Sequence, residues 1–242
     1  MKSFEKILDK IRYMKSDFSV YPINVGRNIA RLGMETRLFL SGDIENFPSY
    51  NYEKIVSELA AKYLLKQKRK IVLVHRRFEY EKGLETPRNK AELKDLILKK
   101  QANVFHEKVY PNGHMIVGLH DWLHREENVN EATVDMTINF SRSAWEPQFV
   151  GDERLPFHDE RFFYRIRSNT HLILIMCYLQ YRFTILNDVF TVHEGIKRNK
   201  IDPLPRASYG NLMKARKILD ELNVNLSIEY PDMVNKCPKG ML

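Results

Sequence analysis

Residues 22–45 read PINVGRNIARLGMETRLFLSGDIE, and this stretch decides the fold class. Pro22 suits the first turn of a helix and Gly33 suits its end, so the sequence predicts a short helix between them. Residues 36–41 are mostly apolar and predict a strand, which runs out into a turn that carries two carboxylates. A helix followed by a strand is typical of an α/β domain.

The same alternation continues on both sides of this stretch. Residues 103–150 mix short strands and turns, with Trp122 and Trp145 as anchors of the core or of a pocket. The spacing of apolar residues predicts helices over residues 2–15, 52–66, 89–100, 168–180 and 209–222, and strands over residues 70–75, 183–186 and 189–193. We therefore expect one α/β domain over residues 1–242, with residues 201–242 as a C-terminal helical extension.

Composition excludes three classes of protein. The chain has 242 residues, of which 43% are hydrophobic, too many for a disordered chain. Its longest apolar run, residues 172–179, is far shorter than the roughly 20 residues that span a bilayer. We expect neither a signal peptide nor a membrane anchor in it, because residues 1–6 begin a charged amphipathic pattern. Two cysteines can form at most one bridge, which excludes a disulfide scaffold.

The net charge of +8 would suit nucleic acid, an anionic membrane surface or a phosphorylated small substrate. The basic residues are scattered, however. The densest run, residues 66–70, indicates the solvated end of a helix. Zinc-finger spacing and RNA-binding aromatic motifs do not occur, so the sequence does not indicate a nucleic-acid partner.

A metal site is one interpretation of Asp43 and Glu45. Two carboxylates at a strand end can face one cation, and oxygen ligands suit Mn²⁺ or Mg²⁺ bound to a diphosphate. His193 closes another strand, and a nitrogen ligand beside two carboxylates favours Mn²⁺. The alternatives are a solvated turn for the carboxylates and a structural role for the histidine.

An ordered series of motifs resembles glycosyltransferase family 49. The series begins with YPINVGRNIAR at residues 21–31, continues through the apolar strand to Asp43-x-Glu45, and reaches Pro48-Ser49. Further motifs follow in the order of the family: Pro87-x-x-Lys90-x-Glu92-Leu93, Phe105-His106, Gly113-His114, Trp122, Trp145-Glu146-Pro147, Asp159-Glu160-Arg161-Phe162 and Phe190-Thr191-Val192-His193. The resemblance covers about residues 20–200.

This resemblance implies a GT-A-like (Rossmann-like) glycosyltransferase domain. The family includes dystroglycan-modifying glucuronyltransferases, Golgi enzymes that use UDP-sugars and Mn²⁺. We therefore expect an enzyme that transfers glucuronic acid or N-acetylglucosamine from a UDP-sugar donor to a glycan acceptor. Forming a β-linkage from an α-linked donor inverts the anomeric carbon, which requires a carboxylate base.

The resemblance also assigns residues to these roles. The metal ligands would be Asp43, Glu45 and His193. The nucleotide-sugar contacts would be Asn24, Arg27, Asn28 and Asp43, and helix capping or surface solvation is the alternative for the three helical residues. The base would be Asp159 or Glu160, with Glu146 as second choice; a buried structural partner of an arginine is the alternative for Glu146.

Three departures from the family favour a different function. First, Glu45 replaces an aspartate. Second, residues 164–169 replace a glycine-rich stretch, and Arg165 and Arg167 within them are expected to change or fill the acceptor site. Third, the uridine-binding strands and the membrane anchor of such enzymes are expected to lie outside this chain. The alternative to an enzyme is therefore a degenerate member that acts as a non-enzymatic binding or partner protein.

Overall fold

The computed structural model describes residues 21–162, 164, 166–199 and 209–240. The predicted helix over residues 2–15 lies outside them. The helices are α1 (Ile23–Leu32), α2 (Tyr52–Ala60), α3 (Lys90–Leu98), α4 (Pro111–His114), α5 (Leu119–His124), α6 (Thr170–Tyr178) and α7 (Tyr209–Glu229). The strands are β1 (Leu38–Ser41), β2 (Phe47–Pro48), β3 (Ile71–Tyr80), β4 (Ala102–Val104), β5 (Val134–Ile138), β6 (Phe149–Asp152) and β7 (Arg182–Glu194). Within these ranges, no helix is both long enough and apolar enough to cross a bilayer.

The seven strands form one mixed sheet in the order β1-β6-β3-β7-β2, with β4 paired to β3 and β5 paired to β7. The two longest strands, β3 and β7, run parallel at its centre, and the other pairs are antiparallel. Helices pack against this sheet, which confirms the predicted α/β class. The architecture is consistent with a Rossmann-like glycosyltransferase domain.

The central strand β3 is longer than predicted. The apolar run predicts a strand over residues 70–75, whereas β3 continues to Tyr80. Arg76 and Arg77 extend it while remaining 3% and 6% exposed. A buried charge is tolerated only when it has partners, and a search for apolar runs misses such a strand.

The two strands predicted near the C-terminus are one strand, β7. Its pairing with β3 shifts register between Ile185 and Phe190, so the polar residues between them form a bulge rather than a gap. Asn187 Oδ1 accepts a hydrogen bond from Lys90 Nζ at 2.8 Å. Asp188 Oδ2 accepts one from the Thr133 N–H at 2.6 Å. These bonds hold the bulge against the neighbouring loop and helix.

Helices complete the core on both sides of the sheet. Trp145 packs against Phe183 in a cluster that includes α6 and α7, and Trp122 stacks on Phe78 beside α3. Both tryptophans are therefore core anchors, as predicted. Two short helices, α4 and α5, lie within residues 103–150, where only strands and turns were predicted. Each is shorter than two helical turns, so its apolar residues do not repeat often enough to reveal a helix in the sequence.

The two cysteines form a disulfide bridge. Cys177 at the end of α6 is bonded to Cys237, which follows α7, with 6.0 Å between the two Cα atoms. The bridge ties the end of the chain to the helix that covers the sheet. Closing a loop of this size stabilises a fold by about 2–4 kcal/mol, so the bridge helps to anchor α7. Helix α7 is also longer than predicted, because it continues past residue 222 to Glu229.

Candidate functional site

The candidate site lies where β1 ends, β6 begins and the second half of β3 passes. Asp43 sits in the turn after β1, and its Oδ2 accepts hydrogen bonds from Arg77 Nη2 at 2.8 Å and from Gln148 Nε2 at 3.0 Å. The Asp43 side chain is 45% exposed, whereas that of Arg77 is 6% exposed. The site is thus an accessible carboxylate backed by a buried guanidinium.

Glu146 brings a second carboxylate to the same place. It is partly buried in the loop before β6, and its N–H donates to the Gly113 carbonyl at 2.7 Å. Burial raises the pKa of Glu146, the charge of Arg77 opposes that rise, and the charge of Asp43 adds to it. A carboxylate with a raised pKa is a stronger base when it is ionised.

Helix α1 contributes a second arginine. Burial lowers the pKa of Arg27, while the charges of Asp43 and Glu146 oppose that change, which places its guanidinium near both carboxylates. Arg27 Nη1 also donates to the Ser168 carbonyl at 2.8 Å and to Asn24 Oδ1 at 3.0 Å. Arg27 therefore joins the site and holds a neighbouring loop at the same time.

The two asparagines of α1 are buried and hold backbone. Asn24 Nδ2 donates to the carbonyls of Asp159 and Phe162, at 3.2 and 3.1 Å. Asn28 Nδ2 donates to the His158 carbonyl at 2.9 Å, and Asn28 Oδ1 accepts from the His158 N–H at the same distance. Their amides hold the loop of residues 158–162 against α1. Neither helix capping nor surface solvation describes them.

The first-choice bases belong to this loop. Asp159 accepts hydrogen bonds from the N–H, Nε and Nη2 of Arg161, and Glu160 Oε1 accepts one from Asn28 Nδ2 at 2.8 Å. Burial alone would raise the pKa of Asp159, but the hydrogen bonds and charge of Arg161 bring it below its usual value. A carboxylate held this way is a poor proton acceptor. Glu146 is the predicted base whose charge interacts with those of Asp43 and Arg77.

Imidazole and phenyl rings form one wall of the site. The Phe105 ring lies 3.9 Å from that of His106, 5.0 Å from that of His114 and 5.6 Å from that of His193. The Arg77 guanidinium lies over the same phenyl ring at 4.1 Å. Burial, with smaller contributions from positive neighbours, lowers the pKa of His106 to about 4 and that of His114 to about 2. His106 and His114 are therefore neutral near pH 7.

The three predicted metal ligands do not form a metal site in this arrangement. Among the described residues, no group of three histidine, cysteine or carboxylate side chains is placed to hold an ion, although Asp43, Glu45 and His193 are all described. Arg77 already supplies a positive charge at Asp43. A divalent ion about 4 Å from a guanidinium is repelled by roughly 8 kcal/mol at an effective dielectric constant of about 20. Manganese binding by these three residues stays a prediction, and no step below depends on it.

Sequence reasoning missed Arg77. Its signal is the run His75-Arg76-Arg77, which follows an apolar strand with no glycine, proline or other turn residue between. A charged residue that continues a buried strand needs a partner of opposite charge, and the acidic side chains at other strand ends are the candidates for that partner.

Arg167 is a third arginine whose charge acts on Glu146. Its Nη1 donates to the Ser143 carbonyl at 2.7 Å, and its charge lowers the pKa of Glu146 after the larger effects of burial, Arg77, Asp43 and Arg27. The expectation that it changes or fills the acceptor side stays a prediction. Arg165 lies outside the described residues.

Comparison with known proteins supports the family assignment. The family described as glycosyl-transferase for dystroglycan matches residues 1–231, which is wider than the predicted 20–200. The chain is 28% identical over 228 residues to beta-1,4-glucuronyltransferase 1 of Danio rerio, covering 90% of this chain and 49% of that protein.

Two further relatives carry the name LARGE. The chain is 26% identical over 221 residues to xylosyl- and glucuronyltransferase LARGE2 of Mus musculus, covering 88% of this chain and 30% of that protein. It is 25% identical over 197 residues to glycosyltransferase-like protein LARGE of Caenorhabditis elegans, covering 76% and 29%. The chain spans about half or less of the length of these curated relatives. Because the family model matches nearly the whole chain, the chain belongs to glycosyltransferase family 49.

Proposed function

We propose that this chain transfers a sugar, glucuronic acid or N-acetylglucosamine, from a UDP-sugar to a glycan acceptor with inversion at the anomeric carbon. The observation that carries the proposal is the buried Arg77 guanidinium bonded to the accessible Asp43 carboxylate, with the charge of Glu146 acting on both. A basic carboxylate and an anion-binding guanidinium within one site are the two groups that such a transfer needs.

The reaction is a single displacement. The acceptor oxygen forms a bond to the anomeric carbon as the bond from that carbon to the diphosphate oxygen breaks, and UDP leaves with the bonding electrons. Glu146 takes the proton of the acceptor hydroxyl. Arg77 bonds to Asp43 and the charge of Arg27 interacts with it; because the resemblance assigns Asp43 to the nucleotide-sugar, both charges can stabilise the negative charge that develops on the departing diphosphate.

The disulfide supports a place in the secretory pathway. Bridges such as Cys177–Cys237 form and persist in oxidising compartments and are rare in the cytosol. The relatives are named as glycosyltransferases, of the kind usually found in the Golgi. We propose the Golgi lumen as the place of action.

The test compares two glutamates. UDP release from UDP-glucuronic acid and from UDP-N-acetylglucosamine is measured with a panel of oligosaccharide acceptors. Glu146→Gln is expected to lower transfer by 10²–10⁴-fold, the range for loss of a general base, with UDP binding unchanged. Glu160→Gln is the matched control and is expected to keep transfer within about threefold. The reverse pattern would assign the base to the loop held by α1.

A non-enzymatic binding or partner protein is the second candidate. The observation that favours it is the three predicted metal ligands that do not gather into a site. Under this function, wild type and Glu146→Gln would both show no transfer with any donor, while the chain remains folded.

A further inference from the structure

Arg77 is the cation shared by all three carboxylates of the site. Asp43 bonds to it directly, and the charges of Asp43, Glu146 and Glu45 all act on its guanidinium. These are the two predicted metal ligands of the motif and the proposed base. A fixed positive charge therefore acts on Asp43 and Glu45, two of the side chains that were expected to surround a metal ion.

The backbone fixes Arg77 in this position. It lies in the centre of the sheet, where its register partner across the parallel pair is Thr191 of β7, and its side chain lies over Phe105. A side chain packed on a central strand and an aromatic ring loses little further freedom when it binds a ligand. Arg77 is thus preorganised, unlike an arginine on a surface loop.

Its guanidinium also has unused donors. Nη2 is bonded to Asp43, Nη1 lies at a marginal 3.5 Å from His114 Nδ1, and the buried Nε has no partner among the described residues. A guanidinium offers five N–H donors in a planar fork that matches the oxygens of a phosphate group. Asp43, at 45% exposed, marks the side from which a ligand reaches the fork.

We infer that Arg77 takes the place of the divalent cation at Asp43, so that this chain binds the diphosphate of its donor without a metal. The inference rests on the proposed function, because it concerns the donor of that reaction. In this chain Asp43 is the partner that holds and partly neutralises Arg77 rather than a metal ligand.

Calorimetric titration with UDP is the first test. The purified chain is titrated in EDTA and, separately, with Mn²⁺ at near-physiological salt. The expected result is the same dissociation constant in both, within about twofold. Binding only with Mn²⁺ would overturn this inference and leave the proposed function standing. Absence of binding in both conditions would overturn both.

Two substitutions separate the roles of the pair. In EDTA, Arg77→Gln is expected to weaken UDP binding at least tenfold, while Arg37→Gln, which removes a charge from the exposed pair with Glu153, leaves it unchanged. Circular dichroism establishes that each variant is folded.

Asp43→Asn gives a result of opposite sign for the two roles. If Asp43 only holds Arg77, the neutral variant keeps UDP binding or tightens it several-fold, because the guanidinium is freed for the phosphate and a negative charge is removed. If Asp43 is a metal ligand, the same change abolishes the UDP binding that is measured with Mn²⁺. Since Asp43 lies in an exposed turn, this variant tests the inference even if Arg77→Gln does not fold.

Discussion

Arg76 and Arg77 are neighbours on β3, but they face opposite sides of the sheet and meet very different surroundings. Arg76 donates to the carbonyls of Ile116 and Val117 and to Asp135, whose side chain is 1% exposed. Arg77 pairs with Asp43, whose side chain is 45% exposed. Both guanidinium groups are buried, and only the access to their carboxylates differs.

This difference separates a charge that supports the fold from one that serves a ligand. Asp135 is shared, since Arg125 Nη1 also donates to it at 2.6 Å, so the carboxylate is enclosed by two arginines. The Asp135 side chain is 1% exposed, so solvent does not reach the carboxylate itself. At Asp43, solvent already reaches the carboxylate, so a ligand can displace water there rather than protein.

Removing the enclosed carboxylate has the largest expected effect. Asp135→Asn leaves Arg76 buried without its negative partner, and breaking a buried pair in this way costs about 3–5 kcal/mol of unfolding free energy. Urea denaturation measures it. Asp95→Asn, at the exposed pair with Lys99, is the matched control and is expected to cost less than about 0.5 kcal/mol. A cost for Asp135→Asn below that of the control would end the distinction between the two sides.

Gly113→Ala disturbs the side of the sheet that carries the Asp43–Arg77 pair, without changing any charge. A Cβ at this position would stand 2.3 Å from the Tyr110 ring, so the ring or the backbone must move, and the Gly113 carbonyl is the partner of the Glu146 N–H. Overpacking of this kind costs about 1–3 kcal/mol. Sugar transfer is expected to fall with it, since the proposed base shifts.

Gly26→Ala is the control for that change. A Cβ there meets nothing within 4 Å, so the variant is expected to gain up to about 1 kcal/mol from helix propensity. Thermal unfolding and a transfer assay on both variants measure the two effects. Full transfer activity in Gly113→Ala would argue against Glu146 as the base.

Buried histidines make the folded state sensitive to acid. His171 Nε2 accepts a hydrogen bond from the Asp159 N–H at 2.9 Å, while the Arg167 carbonyl lies 2.7 Å from Nδ1, so this ring must be neutral. Burial lowers the pKa of His171 to about 4 and those of His75 and His158 to about 3. The unfolded chain, with histidine pKa values near 6.5, then binds protons that the folded chain does not.

Unfolding free energy is therefore expected to fall as the pH drops from about 6.5 towards 4. Each such histidine contributes up to about 1.4 kcal/mol per pH unit. Urea denaturation at several pH values measures the slope of unfolding free energy against pH. His171→Gln is expected to reduce this slope by the amount that corresponds to about one bound proton. An unchanged slope in that variant would show that His171 is not one of the titrating groups.

The sequence predicted the parts of the site that follow a periodic or punctuated pattern. Pro22 and Gly33 bound α1 closely, and the apolar run before Asp43 ends as a strand at Ser41. Both rest on local chemistry, which a single segment of chain contains. Glu146, the second choice as base, came from the resemblance to the family, and its role stays a prediction.

What depends on contacts between distant segments could not be predicted. Arg77 meets Asp43 across 34 residues, and Asn24 clamps a carbonyl 135 residues away. A charged residue inside a strand has no periodic signal, and an asparagine on a helix looks the same whether it faces a nucleotide or a backbone carbonyl. The partner decides the role, and only the fold brings the partner close.

The smallest expected effect sharpens the comparison most. Asp43→Asn removes the carboxylate partner of an arginine, as Asp135→Asn does, yet it is expected to cost no more than about 1 kcal/mol of unfolding free energy. Water reaches this position, and Glu146 and Glu45 still act on the Arg77 guanidinium, so its charge is not left alone. Urea denaturation of the two variants side by side measures the contrast. A cost for Asp43→Asn equal to that of Asp135→Asn would make Arg77 a second structural arginine, whereas a small cost together with UDP binding that is kept or tightened means that the Asp43–Arg77 pair is held for a ligand.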